Sequence, residues 1–527
     1  MAGSCWGHER NLGRNRRIGV VAGWGFGVQR RALIAGSAAA VWAVAATGQA
    51  ADEPPYDAQT VRKLARDLAA AAYKAPEAKL PEAVAGLSHE AYRAIQFDPA
   101  QSLWRGAALP FEVQFFHRGS LYANRVDIYE VADGVARPVG YRPEMFNFGA
   151  NPRPPAGDIG FAGFRLHAPL NRPDYYDEAA VFLGATYFRA VPKGGSYGMS
   201  ARGLSLKTAD PGGEEFPLFR AFWLERPQPG TNSMVVTALL DSPSAAAAIR
   251  FTIRPGEATI FDVETTLFPR VDLAQAGIGT GTSMFFFDAS NRAGIDDYRR
   301  AVHDSDGLMM LTGRGEELWR PLANRRTLQI SSFVDSSPRG FGLMQRKRGF
   351  RAFEDLDAQY QRRPSLWVEP IGDWGDGVVQ LVEIPTKGDI HDNIVAFWRP
   401  RQPLRAKSEV NFTYRLHWAA GPPPRGDLAR FTDTRGGAGS MAGTRLFALD
   451  AAGERLKALP ADARVRAAVS TDKGRIQNAV ALANPEQGGW RIAFELVPEN
   501  AEAAELRAQL LSGDAPLSET WVYRWTA

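Results

Sequence analysis

Short runs in which apolar and polar residues alternate recur along this chain, with glycine or proline between them. The clearest pair covers residues 249–253 and 258–267, joined by Pro255-Gly256. Alternation with a period of two puts one row of side chains on a buried face, so the pair predicts a β-hairpin. Similar runs at 111–116, 234–240, 284–287, 378–384 and 410–418 predict further strands. The chain is therefore predicted to be all-β.

Helical spacing is confined mainly to the residues that directly follow residue 50. Val61, Leu64, Ala65 and Leu68 share one face of a helix with 3.6 residues per turn. Ser88 has the side chain of an N-cap residue and precedes a second, shorter helical pattern. We expect two short helices before the first strands.

A stiff, proline-rich stretch at residues 421–426 interrupts the strand pattern, and a glycine-rich run follows at 436–443. Strand-like segments then return at 444–449, 464–470, 476–482, 490–497 and 520–525, the spacing of a small β-sandwich. Trp521, Tyr523 and Trp525 alternate with polar residues, which predicts that they share one face. We expect a large β domain at 51–420 and a small one at 421–527.

The first 50 residues have the layout of an export signal. Arg30-Arg31 precedes an apolar, alanine-rich run, and Gly48-Gln49-Ala50 is typical of a cleavage site. The paired arginines indicate twin-arginine export of a folded protein. A membrane anchor is the alternative, although the apolar run is shorter than the roughly 18 residues that a span requires.

Cleavage after residue 50 changes the charge of the chain. It removes six arginines and one glutamate, so the formal net charge of +4 becomes −1. A body so close to neutral has no electrostatic footprint for nucleic acid, and none is expected as a partner. The only cysteine, Cys5, is lost as well. No disulfide and no thiolate ligand are therefore expected.

Residues 363–400 combine three tryptophans, Trp367, Trp374 and Trp398, with six acidic residues. Flat aromatic rings can cover the C–H faces of sugars, while carboxylates bind hydroxyls or move protons. The pattern indicates a carbohydrate site. In the alternative interpretation, the tryptophans belong to the sandwich core and the acids lie on solvated strand faces.

Two acidic motifs are candidates for acid–base chemistry. Glycoside hydrolysis without a metal needs two carboxyl groups, one to protonate the leaving oxygen and one to activate water. His303-Asp304-Ser305-Asp306 sets two carboxylates two residues apart, although a calcium loop or an Asx turn would use the same residues. His391-Asp392-Asn393 follows a predicted strand, at a loop where catalytic groups often lie.

The segment Gly194–Gly198 matches the G-x-S-x-G motif of serine hydrolases. That motif requires a strand, a sharp turn and a helix, whereas the residues after it predict another β segment. We therefore interpret its glycines as forming a tight loop.

Eight ordered blocks resemble the osmoregulated periplasmic glucan biosynthesis family over nearly the whole chain after residue 50. They are GFAGFRLH (160–167), FLGATYFRA (182–190), YGMSARGL (197–204), GEEFP (213–217), ALLDSPS (238–244), HDSD (303–306), RPSLWVEP (363–370) and DNIV (392–395). The twin-arginine start is more similar to the D branch of this family than to the G branch, whose members resemble Sec substrates. The resemblance predicts the D branch.

The resemblance implies an all-β fold in which a galactose-mutarotase-like β-sandwich precedes an immunoglobulin-like β-sandwich. It also implies that the chain acts on β-1,2-glucan in the periplasm, as an anomer-inverting endo-β-1,2-glucanase. Some relatives transfer the glycosyl group and make cyclic or branched glucan, so a transglycosylase is an alternative. A non-catalytic scaffold that receives glucan from a membrane synthase is another.

By similarity, Asp392 corresponds to the general acid and Asp304 to a general base that reaches water through a relay. The resemblance and the motifs together predict substrate contacts at Tyr360, Arg363, Trp367, Trp374, Tyr187, Arg189, Tyr197, Arg202, His303 and Asp306. For Tyr187, Arg189, Tyr197 and Arg202 a structural role in the sandwich is the alternative.

We expect no metal and no cofactor. The resemblance leaves open whether a membrane glucan synthase is a partner and whether the chain forms a homodimer. After residue 437 the chain is shorter than the family members it resembles, in which a longer loop can cover the cleft or reach a partner subunit. The balance between hydrolysis and transfer therefore stays open, because excluding water would favour transfer.

Overall fold

The computed structural model describes residues 55–76, 78–423, 426–460 and 463–527. The predicted export signal at 1–50 therefore lies outside the described residues. The all-β prediction is confirmed, since strands greatly outnumber helices. The helices are α1 Thr60–Ala70, α2 Glu82–Ala85, α3 His89–Arg93 and α4 Glu454–Lys457, with 3-10 turns at Pro99–Gln101, Pro143–Met145, Phe350–Ala352 and Tyr360–Arg362.

The strands before residue 420 form the larger part of the molecule. They are β1 Gln96–Phe97, β2 Glu112–His117, β3 Asp127–Ala132, β4 Val135–Pro138, β5 Phe146–Asn147, β6 Phe161–Arg172, β7 Tyr175–Leu183, β8 Tyr187–Ala190, β9 Ser200–Arg202, β10 Ser205–Leu206, β11 Leu218–Glu225, β12 Met234–Asp241, β13 Ala245–Arg254, β14 Thr259–Pro269, β15 Ala276–Ser283, β16 Phe285–Phe287, β17 Val302–His303, β18 Gly307–Leu311, β19 Glu317–Pro321, β20 Gln329–Ser336, β21 Gly340–Met344, β22 Ser365–Ile371, β23 Asp376–Glu383, β24 Ile394–Pro400 and β25 Val410–Ala419.

The strands after residue 420 form the smaller part. They are β26 Arg430–Ala438, β27 Arg445–Ala452, β28 Val465–Thr471, β29 Arg475–Asn484, β30 Gly489–Val497, β31 Ala503–Ser512, β32 Ala515–Pro516 and β33 Thr520–Thr526.

Two large sheets pack face to face. The first has the strand order β2-β6-β7-β8-β9-β15-β24-β23-β20, and the second runs from β28-β31-β33 through β19-β18-β21-β22-β25 to β14-β13-β12-β11-β3-β4. Phenylalanines from both sheets meet between them, with ring centroids 5.0 Å apart for Phe164 and Phe222 and 5.3 Å apart for Phe182 and Phe251. This aromatic layer is the main hydrophobic core.

The smaller sandwich shares its core with the larger one. Its sheet β26-β27-β30-β29 faces β28-β31-β33, and β33 pairs in parallel with β19, so the second large sheet continues across both parts. Trp319 and Trp367, from the larger part, lie in the same buried cluster as Trp521. Arg346 also forms an ion pair with the fully buried Glu519 at 2.5 Å. The two sandwiches are therefore joined by strand pairing, apolar packing and a buried ion pair.

The local predictions agree closely with these elements. The hairpin at 249–267 is confirmed as β13 and β14, which pair from Ala245↔Pro269 to Arg254↔Ile260. Ser88 caps α3 by accepting a 3.1 Å hydrogen bond from the Ala91 N–H. The glycine-rich run at 436–443 begins inside strand β26. Gly436 pairs with Phe447 in the antiparallel ladder of β26 and β27. Glycine in a strand removes a side chain without breaking the backbone ladder.

Within the described part of the chain, none of the helices has the length and apolar character that crossing a bilayer would take.

Candidate functional site

Three neighbouring strands of the first sheet, β8, β9 and β15, and the loop before β24 carry a group of polar side chains. Tyr187 in β8 lies directly opposite Arg202 in β9, and Arg189 lies two residues further along β8. Residues two apart on a strand share a face, so these three side chains lie on the same side of the sheet. The structure therefore brings together three of the predicted substrate-contact residues.

Arg202 is fixed by its neighbours. Its Nε donates to Thr282 Oγ1 at 3.0 Å, and its Nη1 lies 2.5 Å from Glu214 Oε1. The guanidinium carbon lies 4.8 Å from the centroid of the Tyr187 ring, a cation–π distance. Thr282 and Glu214 were not predicted as site residues, although Glu214 belongs to one of the blocks that carry the family resemblance. Arg202 therefore holds Tyr187 in place as part of a small buried network.

Asp392 lies in the loop between β23 and β24, at the end of β24 that faces Arg189. Its Oδ2 is 3.7 Å from Arg189 Nη2, and 10% of its side chain is exposed. The adjacent Asn393 is buried and fixes the loop, because its Nδ2 donates to the carbonyls of Phe285 (3.0 Å) and Ile384 (2.9 Å). Its Oδ1 also accepts the Phe285 N–H at 2.8 Å. The loop is therefore anchored immediately after the carboxylate.

Asp304 directly follows β17 and is almost fully buried. Its N–H donates to the Met284 carbonyl at 2.8 Å, and its Oδ1 accepts a hydrogen bond from Arg363 Nη1. Burial raises the pKa of Asp304, Arg363 opposes this shift, and the negative charge of Asp392 raises the pKa further. The two predicted catalytic aspartates are therefore close enough to interact electrostatically.

Arg363 and Tyr360 belong to one tight segment. Tyr360 opens the 3-10 turn Tyr360–Arg362, and the Arg363 guanidinium carbon lies 4.4 Å from the centroid of its ring. Gly198, the last glycine of the G-x-S-x-G match, packs against Arg363, and a Cβ at this position would lie 2.8 Å from Arg363 Cβ. No helix follows this loop, which leads into β9. The loop makes room for Arg363 rather than presenting a serine nucleophile.

The tryptophans of the cluster at 363–400 occupy the core. Trp367 and Trp398 are fully buried, and Trp374 is 6% exposed. Trp374 Nε1 donates to the Thr413 carbonyl at 3.2 Å, and its ring packs against Phe412 with the centroids 5.5 Å apart. A ring without exposed area cannot stack on a sugar. The predicted substrate contact at Trp367 is therefore corrected to a packing role, and Trp374 is mostly a packing residue as well.

His303 and Asp306 flank Asp304 in sequence, but they point into a different environment. The His303 ring stacks on Phe285 with 5.4 Å between ring centroids, and burial lowers its pKa to about 3. Asp306 accepts the Arg346 N–H at 3.1 Å, and burial raises its pKa to about 6. The His303 ring is fully buried against Phe285, and the Asp306 carboxylate is bonded to the Arg346 backbone, so we expect structural roles rather than substrate contacts at both positions.

Tyr197 lies at the edge of the aromatic core, where it packs with Phe116 and Val181. Burial raises the pKa of its phenol, and the nearby Glu178 adds to this effect. Its ring therefore packs against apolar side chains of the first sheet. We expect a packing role for Tyr197.

Replacing Trp367 tests whether this ring contributes to stability or to binding. We expect Trp367→Leu to lower the free energy of unfolding by about 2–5 kcal/mol, because it leaves a cavity in the shared core. Unfolding in urea, with glucan binding measured on the folded fraction, checks this. A weaker affinity for glucan at unchanged stability would contradict the packing role.

No three His, Cys, Asp or Glu side chains among the described residues form a group that could hold a metal ion. The chemistry that the arrangement offers is acid–base. Asp392 and Asp304 come from separate loops, and each lies beside an arginine, Arg189 and Arg363 respectively. Tyr187, Arg202 and Tyr360 border these two pairs. We define these seven residues as the aspartate site.

A family model described as "Periplasmic glucan biosynthesis protein, MdoG" matches residues 56–525. A protein from Rhodopseudomonas palustris strain BisA53, named glucans biosynthesis protein G, is 60% identical over 91% of this chain and 96% of its own length. Proteins of the same name from Bradyrhizobium diazoefficiens and Vibrio cholerae are 55% and 50% identical, over 94% and 89% of this chain and 98% and 87% of their own lengths.

These relatives correct the prediction of the D branch, which is wrong, because all three carry the name of the G branch. That prediction depended on the twin-arginine start, which lies outside the described residues. Among solved structures, a GH36 α-galactosidase from Geobacillus stearothermophilus matches with a TM-score of 0.23 and 7% identity, over 49% of this chain and 39% of that chain. A score this low supports no argument.

Proposed function

The chain belongs to the MdoG family of periplasmic glucan biosynthesis proteins, and from this premise we propose that it acts in the periplasm as an anomer-inverting endo-β-1,2-glucanase. The observation that carries the proposal is the arrangement of Asp304 and Asp392, two carboxyl groups from separate loops that each pair with an arginine of the aspartate site. Two carboxyl groups of this kind are the minimum machinery for hydrolysis of a glycosidic bond without a metal.

In the proposed mechanism, Asp392 is the general acid. Its side chain is the more exposed of the two, at 10% against 4% for Asp304. It gives its proton to the glycosidic oxygen, so that the bond from this oxygen to the anomeric carbon breaks. Arg189, 3.7 Å away, then faces the carboxylate that forms. Asn393 fixes the loop and therefore the direction from which the proton comes.

Asp304 acts as the general base. An inverting enzyme forms the new bond between water and the anomeric carbon on the opposite face of the sugar, and the water proton must go to a base. Because Asp304 is nearly buried and already bonded to Arg363, we propose that this proton reaches it through an intervening hydroxyl. The hydroxyl can belong to the substrate or to a second water.

A transglycosylase would use the same aspartates, with a glucan hydroxyl replacing water as the acceptor. A non-catalytic scaffold for a membrane synthase would need an extended aromatic surface for glucan but not a coupled pair of aspartates. The burial of Trp367 and Trp398 weakens this scaffold alternative. The names of the relatives refer to biosynthesis, so we propose that cleavage shapes glucan during its synthesis rather than degrading it.

The test is to incubate the purified chain, from residue 51 onwards, with linear β-1,2-glucan and to follow product size and reducing ends. Shorter chains with a matching rise in reducing ends are expected. Cyclic or rearranged products without that rise would favour transfer. Glucan that binds but keeps its size would rule out both enzymatic assignments and favour the scaffold.

Arg363→Met is expected to move the acid limb of the pH–rate profile to higher pH. Arg363 lowers the pKa of Asp304, so its removal leaves burial and Asp392 to raise that pKa further. A base works only when deprotonated, so more of the enzyme is inactive at a given acidic pH. Arg363→Lys keeps the positive charge, so the acid limb of this variant should lie close to that of wild type. An identical acid limb in Arg363→Met and wild type would exclude Asp304 as the base.

A further inference from the structure

Arg299, in the segment between β16 and β17, binds three carboxylates with one guanidinium group. Its Nη1 donates to Asp389 Oδ2 at 2.9 Å and to Asp355 Oδ2 at 3.0 Å. Its Nη2 donates to Asp297 Oδ2 at 2.8 Å. Only 16% of the Arg299 side chain is exposed, so water screens these contacts only partly. Arg299 lies outside the aspartate site, and nothing in the proposed mechanism uses it.

The contact with Asp389 connects Arg299 to the loop that carries the general acid, Asp392. Asp389 lies three residues before Asp392 in the same loop, and its Oδ2 also accepts a 3.1 Å hydrogen bond from the Tyr360 hydroxyl. Asn393 anchors the other side of Asp392. The short loop is thus held at both ends, by Arg299 and Tyr360 before the carboxylate and by Asn393 after it.

The contact with Asp355 connects Arg299 to the segment that positions the general base, Asp304. Asp355 Oδ1 accepts the N–H groups of Asp357 (2.9 Å) and Ala358 (2.8 Å), which shapes the chain entering the Tyr360–Arg362 turn. The Ala358 carbonyl accepts a 3.4 Å hydrogen bond from Arg363 Nε, and Arg363 Nη1 donates to Asp304. Arg299 therefore joins the loop that carries Asp392 to the segment that positions Asp304.

The charges explain why the connection between the Asp392 loop and the segment that positions Asp304 depends on Arg299. Asp355 and Asp389 share one donor nitrogen, so without the guanidinium two carboxylates would face each other at short range and repel. Arg292, in the same segment, uses its side chain on the carbonyl oxygens of Asp297 and Arg299 rather than on these carboxylates. It fixes the backbone of the segment and does not replace the lost charge.

We propose that Arg299 is a positioning residue that sets the spacing between the general acid Asp392 and the general base Asp304. The inference rests on the proposed function. Arg299 itself need not touch the glucan, because its effect passes through Asp389 on one side and through Asp355 and Arg363 on the other.

The test compares Arg299→Met with Arg299→Lys and with a matched control, Arg270→Met. Arg270 has a similarly buried side chain, 9% exposed, and forms an ion pair at 2.9 Å with Asp241 rather than with a carboxylate of the Asp392 loop or of the segment that positions Asp304. We expect kcat for glucan cleavage to fall about tenfold or more in Arg299→Met, with KM changed less, because a small misplacement of reacting groups is costly. Arg299→Lys should recover part of kcat, and Arg270→Met should lose stability only.

The pH–rate profile supplies a second readout. The charged groups around Asp304 are Arg363, Asp392 and Arg189. Loss of Arg299 frees both the Asp392 loop and the segment that supports Arg363, whose charges respectively raise and lower the pKa of Asp304, so the acid limb should shift from its wild-type position. A general loss of stability would not shift it. Unchanged kcat and an unchanged acid limb in Arg299→Met would overturn the proposal.

Amide hydrogen exchange separates this proposal from the proposed function. Peptides covering residues 386–393 should exchange faster in Arg299→Met than in wild type or Arg270→Met. If wild type does not cleave glucan but exchange in this loop rises, the enzymatic function fails while the link from Arg299 to the loop holds. If exchange in the loop is unchanged, the link itself is wrong whatever the activity.

Discussion

Asp392→Asn is expected to reduce glucan cleavage by about 10²-fold or more and to leave glucan binding nearly unchanged. Asparagine has the shape of aspartate and keeps a polar contact to Arg189, but it has no proton to give to the leaving oxygen. The loop should keep its conformation, because Asn393 and Asp389 anchor it independently of the Asp392 carboxylate. Initial rates and isothermal titration with linear β-1,2-glucan measure the two effects separately.

The matched control is Asp376→Asn. Asp376 begins β23, at the opposite end of that strand from the Asp392 loop, and 61% of its side chain is exposed. Asp376→Asn should cleave and bind glucan like wild type. If Asp392→Asn also behaves like wild type in every assay, Asp392 is not the general acid.

Glu383→Ala should have the largest effect on stability. Glu383 is 1% exposed at the end of β23, where its Oε2 accepts hydrogen bonds from Arg320 Nη2 (3.0 Å) and Arg325 Nε (3.3 Å). Its Oε1 also accepts the Ala323 N–H at 2.9 Å. Truncation leaves two buried guanidinium groups without their carboxylate, and breaking a buried pair in this way costs about 3–5 kcal/mol.

Urea unfolding measures this cost from the shift in midpoint at constant slope. The control is Glu505→Ala, which removes an ion pair to Arg524 whose glutamate side chain is 52% exposed. Because solvent screens that pair, its loss should cost less than about 1 kcal/mol. Equal midpoint shifts for the two variants would mean that Glu383 does not compensate the buried arginines.

Local patterns predicted the strands well because alternation is a property of neighbouring residues. The segment predicted at 111–116 is β2, Glu112–His117, and the one predicted at 490–497 is β30, Gly489–Val497. Pairing between distant strands leaves no such local trace. The parallel contact of β19 with β33, which makes the two sandwiches share a sheet and a core, could not be inferred from spacing.

In the candidate site, too, local patterns predicted some residues and not those that depend on contacts between distant parts of the chain. Asp304 and Asp392 were predicted from residue blocks, and the structure adds the arginine that each of them faces, Arg363 and Arg189 respectively. For the tryptophans the sequence left two interpretations open, because a burial preference and a sugar-stacking surface give the same local pattern, and burial favours the core interpretation. No local sequence pattern pointed to Arg299, because its partners lie up to 90 residues away in the chain. The assignment of the two sandwiches to galactose-mutarotase-like and immunoglobulin-like types stays a prediction.

The anomeric form of the first product tests the central claim most directly. Linear β-1,2-glucan is cleaved in water labelled with oxygen-18, and the new reducing end is examined by NMR and mass spectrometry before mutarotation. We predict an α-configured end that carries the label, and no such product from Asp392→Asn. A β-configured end, or shorter glucan without the label, would contradict inverting hydrolysis by this pair of aspartates.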